Sequence, residues 1–328
     1  MFEGFEVLEG GIQTTIQDYP GRVGYWDVGI PPSGPMDAPA FRLANLLVGN
    51  AQGEAGLEIT AMGPKLRFLQ DSVAAVTGAD LQPNVDGEPV PMWESVKVRK
   101  GSVLSFGVTR GHGFRAYLAI AGGIDVPPFL GSRSTFLYGH FGGLEGRPLK
   151  KGDVVRIGKH SLHLSELAGK KAKSAARPTY ERSWQIGATP GPHSEPDFLT
   201  TDDMKTFFGH EWQVHYNSNR MGYRLIGPKP QWARSDGGEA GRHPSNIHDT
   251  AYAIGTVNMT GDMPIILTAD GPSLGGFVSN ATVVAAELWK VGQAVPGTDR
   301  IMFRKLTIQD AVRLRTDQEQ LISNSITS

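Results

Sequence analysis

The sequence predicts a mainly β protein built as two β-barrel-like domains with a few short helices, and three observations carry that expectation. The 42 Gly and 22 Pro are spread along the 328 residues rather than pooled, as expected of many short elements joined by tight turns. Apolar runs of strand length recur at roughly ten-residue spacing, the rhythm of a closed or nearly closed barrel. Stretches with helical spacing and caps are few.

In chain order, Phe5 and Val7 open a strand, Gly10-Gly11 breaks it, and Thr14–Gln17 forms a second. Pro31-Pro32 and Gly34-Pro35 keep residues 25 to 37 extended. Ala38 to Val48 reads as a helix, with Asp37 as its cap, Pro39 in the first turn and Gly49 at its end. From Leu57 to Ile157 the runs LEIT, KLRFL, SVAAVTG, VPMW, SVKVRK, SVLSFGV, RAYLAI and DVVRI read as strands. Turn signals separate them, Asp86-Gly87 being the strongest hairpin signal. Residues 122 to 143 form a long loop rich in Gly and aromatics.

Residues 161–181 are polar, basic and poor in large apolar side chains, the composition of an interdomain linker. They separate a domain over 1–160 from one over 182–306, where WQVHY, YRLIG, AIGTVNM, PIILTADG and RIMFRKL read as strands. Thr200 to Met204 opens a capped helix, a second helix is expected over Ala281 to Trp289, and 307–328 forms a terminal amphipathic helix and tail.

The formal net charge is −1, from 32 basic and 33 acidic residues, so no net field favours nucleic acid or a membrane surface. With no Cys there is no disulfide framework, thiolate nucleophile or Cys-based metal site. The N-terminal MFEGFEVLEGG is too polar for a signal peptide, and no apolar run approaches the ~20 residues that span a bilayer. A soluble cytoplasmic protein is expected.

Chemistry-bearing residues concentrate between Tyr216 and Asp249, in YNSNRMGYRLIGPKPQWARSDGGEAGRHPSNIHD. Gly237, Gly238 and Gly241 allow close backbone approach to a ligand. Glu239, between glycines, is either a base or orienting carboxylate or a solvated turn residue. Arg220 offers a fork of donors to a carboxylate or carbonyl, or else a surface ion pair. Asn217, Asn219 and Asn246 offer the donor and acceptor edges that an amide-like substrate needs, or else cap turns. Pro244 breaks the helical register that a zinc pair of His243 and His248 would need, so no metal is expected. A second Gly-rich stretch, Thr268 to Phe277, carries Asp270 and Ser273, and reads equally as an oxyanion-holding loop or a tight crossover. The candidate catalytic residues are therefore Glu239, Arg220 and His243. The candidate substrate-binding residues are Asn217, Asn219, Ser245, Asn246, Asp270 and Ser273. GxGxxG after a strand, a P-loop, HExxH and GxSxG are all absent.

The stretches QDYPGRVGYWDVGIPPSGPMD, RLANLLVGN, AYLAIAGGIDVPPFLGSRST, the 216–249 segment and ILTADGPSLGGFV resemble the carboxyltransferase region of biotin-dependent urea carboxylase. More broadly they resemble the allophanate hydrolase subunit 2 family, which includes KipA-like proteins and one of the 5-oxoprolinase subunits. The resemblance covers most of residues 5 to 305. It implies cyclophilin-like β-barrel architecture and a carboxyltransferase half-site that moves a carboxyl group from carboxybiotin to urea, giving allophanate. It also implies that biotin arrives on another chain or region, and that ATP and bicarbonate are used by a partner biotin carboxylase. The implied partners are that carboxylase, a biotin carrier, a subunit-1-like companion half and a small-molecule substrate. The alternatives within the resemblance are a subunit of an ATP-dependent 5-oxoprolinase and a KipA-like regulatory binding subunit.

Overall fold

The computed structural model describes residues 4–160, 163–234 and 236–327. The chain divides into two compact units, one of residues 1–23, 32–180 and 319–328, the other of 24–31 and 181–318. Among the described residues no helix is long and apolar enough to cross a membrane.

In the first unit the strands divide between two antiparallel sheets instead of closing into one barrel. The seven-stranded sheet runs in the order Ile124–Asp125, Val154–Ile157, Gly4–Glu9, Lys65–Phe68, Val103–Ser105, Asn84–Val85, Glu88–Pro89. The five-stranded sheet runs Gln13–Gln17, Gly56–Thr60, Arg115–Ile120, Ser72–Gly78, Ser95–Val98. Phe5, Val7, Leu66 and Phe68 from the first meet Leu57, Ile59, Leu118 and Ile120 from the second in one core.

The helix Ala38–Leu47 covers the other face of the five-stranded sheet. Strand RAYLAI shows the consequence. Ala116, Leu118 and Ile120 enter the intersheet core, whereas Tyr117 and Ala119 enter the helix-side core with Phe41, Leu43 and Leu47. Burial on both faces is why the run lacks polar alternation. Asp37 caps the helix as the sequence predicts, its Oδ1 accepting from the Ala40 N–H at 3.0 Å. Asp86 and Gly87, with φ of 54° and 91°, make the expected tight hairpin turn. Val90 to Trp93, expected as a strand, is instead a turn in which Trp93 has φ 63° and is buried.

Residues 163–180 are not an open linker. Leu164–Leu167 is a turn of helix, and Lys171–Ala172 pairs with Ile326–Thr327. Leu167, Ala172 and Ala176 are buried with Ile322 in the helix-side core. A few small apolar residues suffice to dock a basic segment on an existing apolar surface, and composition averages them away. Residues 161 and 162 of the expected linker, and Ser235 of the motif, lie outside the described residues.

The second unit contains a closed seven-stranded barrel in the order Ser183–Pro190, Arg300–Lys305, Glu211–Val214, Gly222–Ile226, Met263–Leu267, Thr256–Thr260, Leu274–Val283. Pairing of Ala188 with Val283 returns the last strand to the first. Asn246–Ala251 adds an eighth strand along Leu274–Val283. The helix Thr201–Gly209 starts with a capping box of Thr200 and Asp203, and its Phe207 stacks on Phe303 with centroids 4.6 Å apart.

Three local readings change here. The helix expected over Ala281 to Trp289 begins as strand, continues as a short 3-10 turn at Ala285–Glu287 and becomes helical only over Leu288–Gln293. Pairing of the 274–283 strand on both edges overrides its helical spacing. Residues 24–31 belong to the second unit, where the Trp26 indole N–H donates to the Tyr252 carbonyl at 2.8 Å. The C-terminal helix Ile308–Ser323 changes unit after Gln318.

Candidate active site

The sequence-predicted residues fall into two groups on the second unit. The first is a buried brace. The Arg220 guanidinium donates to both oxygens of Asp270, at 2.8 Å through Nε and 3.0 Å through Nη2. The two residues are 3% and 2% exposed. The Asp270 N–H and the Thr268 hydroxyl both donate to the Arg220 carbonyl, at 2.9 and 2.6 Å. The stretch from Thr268 is thus a tight crossover turn, closed by Gly271 N–H to Thr268 O at 2.8 Å, and its acid is tied to Arg220. Asn219 Oδ1 accepts from Met221 N–H at 2.8 Å, and Asn217 N–H donates to His215 Nδ1 at 3.0 Å. Both asparagines therefore shape the loop between Glu211–Val214 and Gly222–Ile226. Ser273 is buried, and its carbonyl accepts from Tyr252 N–H.

The second group surrounds the Gly-rich turn. Gly238 N–H donates to Gly241 O at 3.0 Å, which places Glu239 at an exposed tip. A Cβ on Gly238 would come within 2.2 Å of the Asn246 carbonyl and 2.4 Å of the His243 carbonyl, so glycine lets this turn lie flat on the strand that follows. Glu239 Oε1 accepts from Arg234 Nη1 at 2.9 Å. The Arg234 guanidinium lies 3.9 Å from the Phe198 ring centroid, and its Nε donates to the Asp197 carbonyl.

His243 is held on three sides. Its Nδ1 is 2.9 Å from Ser245 Oγ, its Nε2 is 3.3 Å from Asp262 Oδ1, and its ring meets Trp232 edge to face at 5.6 Å. Asp262 also accepts from the Trp232 indole N–H at 3.0 Å and faces Lys229 at 3.5 Å. Burial raises the Asp262 pKa, but the Trp232 hydrogen bond, His243 and Lys229 outweigh it and leave the carboxyl below its ordinary value.

The Ser–His–Asp contact is not a nucleophilic triad. Ser245 is fully buried, and its Oγ already accepts from Gly261 N–H at 3.2 Å while donating toward Asn246 Oδ1 at 3.4 Å. Ser245 and Asp262 hold the two imidazole nitrogens, and the His243 side chain is 39% exposed.

The structure therefore gathers His243, Ser245 and Asn246 and sets Glu239 on the same turn, while Arg220 and Asp270 engage each other. Sequence reading missed Trp232, Arg234, Asp262 and His193. His193 meets Phe198 edge to face at 4.9 Å; burial lowers its pKa, with Glu239 raising it and Arg234 lowering it. Trp232 and Arg234 lie within the singled-out stretch, so their density there was a usable signal. Asp262 lies in the turn between Thr256–Thr260 and Met263–Leu267, and nothing local in the sequence ties it to His243.

The family model for the carboxyltransferase domain, subdomain A and B, matches residues 28–305. A urea amidolyase of Lachancea kluyveri is 50% identical over 325 residues, covering 97% of this chain and 18% of that protein. The crystal structure of the Kluyveromyces lactis urea carboxylase superposes with a TM-score of 0.94 at 50% identity, over 98% of this chain and 29% of that one. A 5-oxoprolinase subunit of Escherichia coli is 35% identical over 319 residues, covering 96% of this chain and 95% of that protein. The chain thus spans less than a fifth of the urea amidolyase it matches. With a matching model across 28–305 and the same fold in a half-identical solved structure, this chain belongs to the carboxyltransferase family, subdomains A and B.

Proposed function

We propose that the chain is the carboxyltransferase component of a biotin-dependent urea carboxylase system and forms allophanate from urea. The observation that carries this reading is 50% identity to a urea amidolyase along nearly the whole chain, against 35% to a 5-oxoprolinase subunit. The donor set of the 234–246 turn fits a ureido group. The half-buried Asn246 carboxamide offers a donor beside an acceptor, Arg234 offers N–H groups, and the Glu239 side chain is 41% exposed. Biotin, brought by a carrier on another chain or region, supplies the activated carboxyl group. Asn246 pairs with the carbonyl and amide hydrogens of urea. Glu239 takes the proton lost by the attacking urea nitrogen and returns it to the nitrogen that releases the carboxyl group, and Arg234 beside it steadies the carboxylate. His243, held at both ring nitrogens by Ser245 and Asp262, accepts from the Asn246 N–H through its carbonyl and so positions that residue. Arg220 and Asp270 hold the neighbouring loops in place and touch no reacting atom. ATP and bicarbonate are consumed by a biotin carboxylase partner, and a subunit-1-like half completes the site.

The test is reconstitution with the biotin carboxylase, the carrier and the companion half, comparing kcat/KM for urea, guanidine and 5-oxoproline. Urea is expected to lead, because guanidinium carries only donors and would meet Arg234 as a like charge. The isolated chain with free biotin and ATP should turn over nothing. A second reading, a component of an ATP-dependent 5-oxoprolinase, is favoured by the end-to-end match to the Escherichia coli protein, and activity on 5-oxoproline alone would establish it.

A further inference from the structure

Arg234 is held by protein contacts on three sides. Its Nε–H donates to the Asp197 carbonyl at 3.1 Å, its Nη1 donates to Glu239 Oε1 at 2.9 Å, and its guanidinium lies 3.9 Å from the Phe198 ring centroid. The Ala233 N–H donates to the Phe198 carbonyl at 3.0 Å, so residues 197 and 198 fix both the backbone and the side chain of this segment. Phe198 is itself buried, in a small core with Ile247, Met259 and Val278.

These contacts occupy Nε and one hydrogen of Nη1 and leave both hydrogens of Nη2. Nη2 has no hydrogen-bond partner among the described residues and is not one of their buried unpartnered atoms, so with the side chain 27% exposed it faces solvent. His193, on the edge of Phe198, adds no charge: its Nδ1 accepts from the Ser279 N–H at 3.2 Å, and burial lowers its pKa. A held guanidinium with a free edge suits a carboxylate better than a neutral carbonyl, because charge-assisted hydrogen bonds are roughly twice as strong. Glu239 repels a dianion more than a monoanion, so a monocarboxylate fits better than phosphate.

Resting on the carboxyl-transfer reading above, we propose that the Nη2 edge of Arg234 binds the carboxylate of the group being transferred, so that the turn takes N-carboxylated ureido compounds. When Glu239 takes up a proton its charge is lost, and the positive charge of Arg234 is left to that carboxylate alone.

The test is a titration of the ¹⁵N-labelled full chain, followed at the Gly238 amide, with malonamate, which is allophanate with CH₂ in place of the ureido N–H, and with malonamide as its neutral match. Saturable shifts are expected with malonamate, at an affinity at least about tenfold above that for malonamide, roughly 1.4 kcal/mol. Arg234→Gln should weaken malonamate binding at least about tenfold and leave malonamide unchanged. Glu239→Gln should tighten malonamate binding severalfold, since it removes the competing carboxylate, while it slows carboxyl transfer. If Arg234→Gln does not fold, Arg234→Lys takes its place and should also weaken malonamate binding, because it lacks the planar fork. An unsaturable shift in the wild type, unchanged affinity in the Arg234 variant that folds, or weaker binding in Glu239→Gln would overturn the carboxylate site. Arg234-dependent malonamate binding in a chain that forms no allophanate on reconstitution would instead overturn the transfer reading and keep the site.

Discussion

Arg220 and Asp270, fifty residues apart, form a bidentate ion pair at 2.8 and 3.0 Å that is almost wholly removed from solvent. The pair ties the loop after Glu211–Val214 to the crossover after Met263–Leu267. Removing one partner strands a buried charge, so Asp270→Ala should cost about 3–5 kcal/mol of stability. The double substitution Arg220→Met with Asp270→Leu should recover much of that loss. Thermal unfolding of the three variants checks both statements, and a single-variant loss below about 1 kcal/mol would show that the pair is no brace.

Glu239 and Arg234 behave differently because their pair is exposed, at 41% and 27% of the side chain. Solvent screening limits its contribution to about 0–1 kcal/mol, so Glu239→Gln should melt close to wild type. As a proton acceptor Glu239 should nonetheless matter to carboxyl transfer by on the order of 10²-fold or more. Unfolding and reconstituted allophanate formation, measured on one preparation, separate the two effects. Normal transfer would remove Glu239 from the chemistry.

His193 gives a pH prediction. Burial lowers its pKa from 6.5, Glu239 opposes that and Arg234 adds to it. The unfolded chain therefore binds this proton at higher pH than the folded one. The associated stability is fully present above the unfolded value and is lost as pH falls through the folded value. Unfolding free energy should decline between about pH 7 and pH 5, less steeply in His193→Gln. By NMR, Glu239→Gln should shift the His193 midpoint further down; an upward shift would contradict the charge arrangement.

Gly238 tests the turn sterically, since a Cβ there would strike the Asn246 carbonyl at 2.2 Å. Its φ is not in the left-handed region, so alanine brings no backbone strain of that kind. Gly238→Ala should lift the turn off the strand and lower kcat/KM for urea by on the order of 10²-fold, because ångström displacements of positioning groups have that effect. The surface location of the turn should keep the melting temperature within a few degrees of wild type.

What the sequence determined by itself is what short-range physics decides. Asp37 with Pro39 and the Thr200–Asp203 capping box are local signals, and Asp86-Gly87 specifies its hairpin without help from the rest of the chain. His243, Ser245 and Asn246 lie together for the same reason, since their contacts with one another span three residues or fewer. Only the tertiary structure decided which distant groups complete each site. Asp262 reaches His243 across 19 residues, and Arg220 finds Asp270 across fifty. Barrel closure through Ala188 and Val283 and the docking of residues 163–180 likewise depend on strands meeting across long loops. Register between such strands is fixed by the burial of whole faces at once, and no local spacing encodes it.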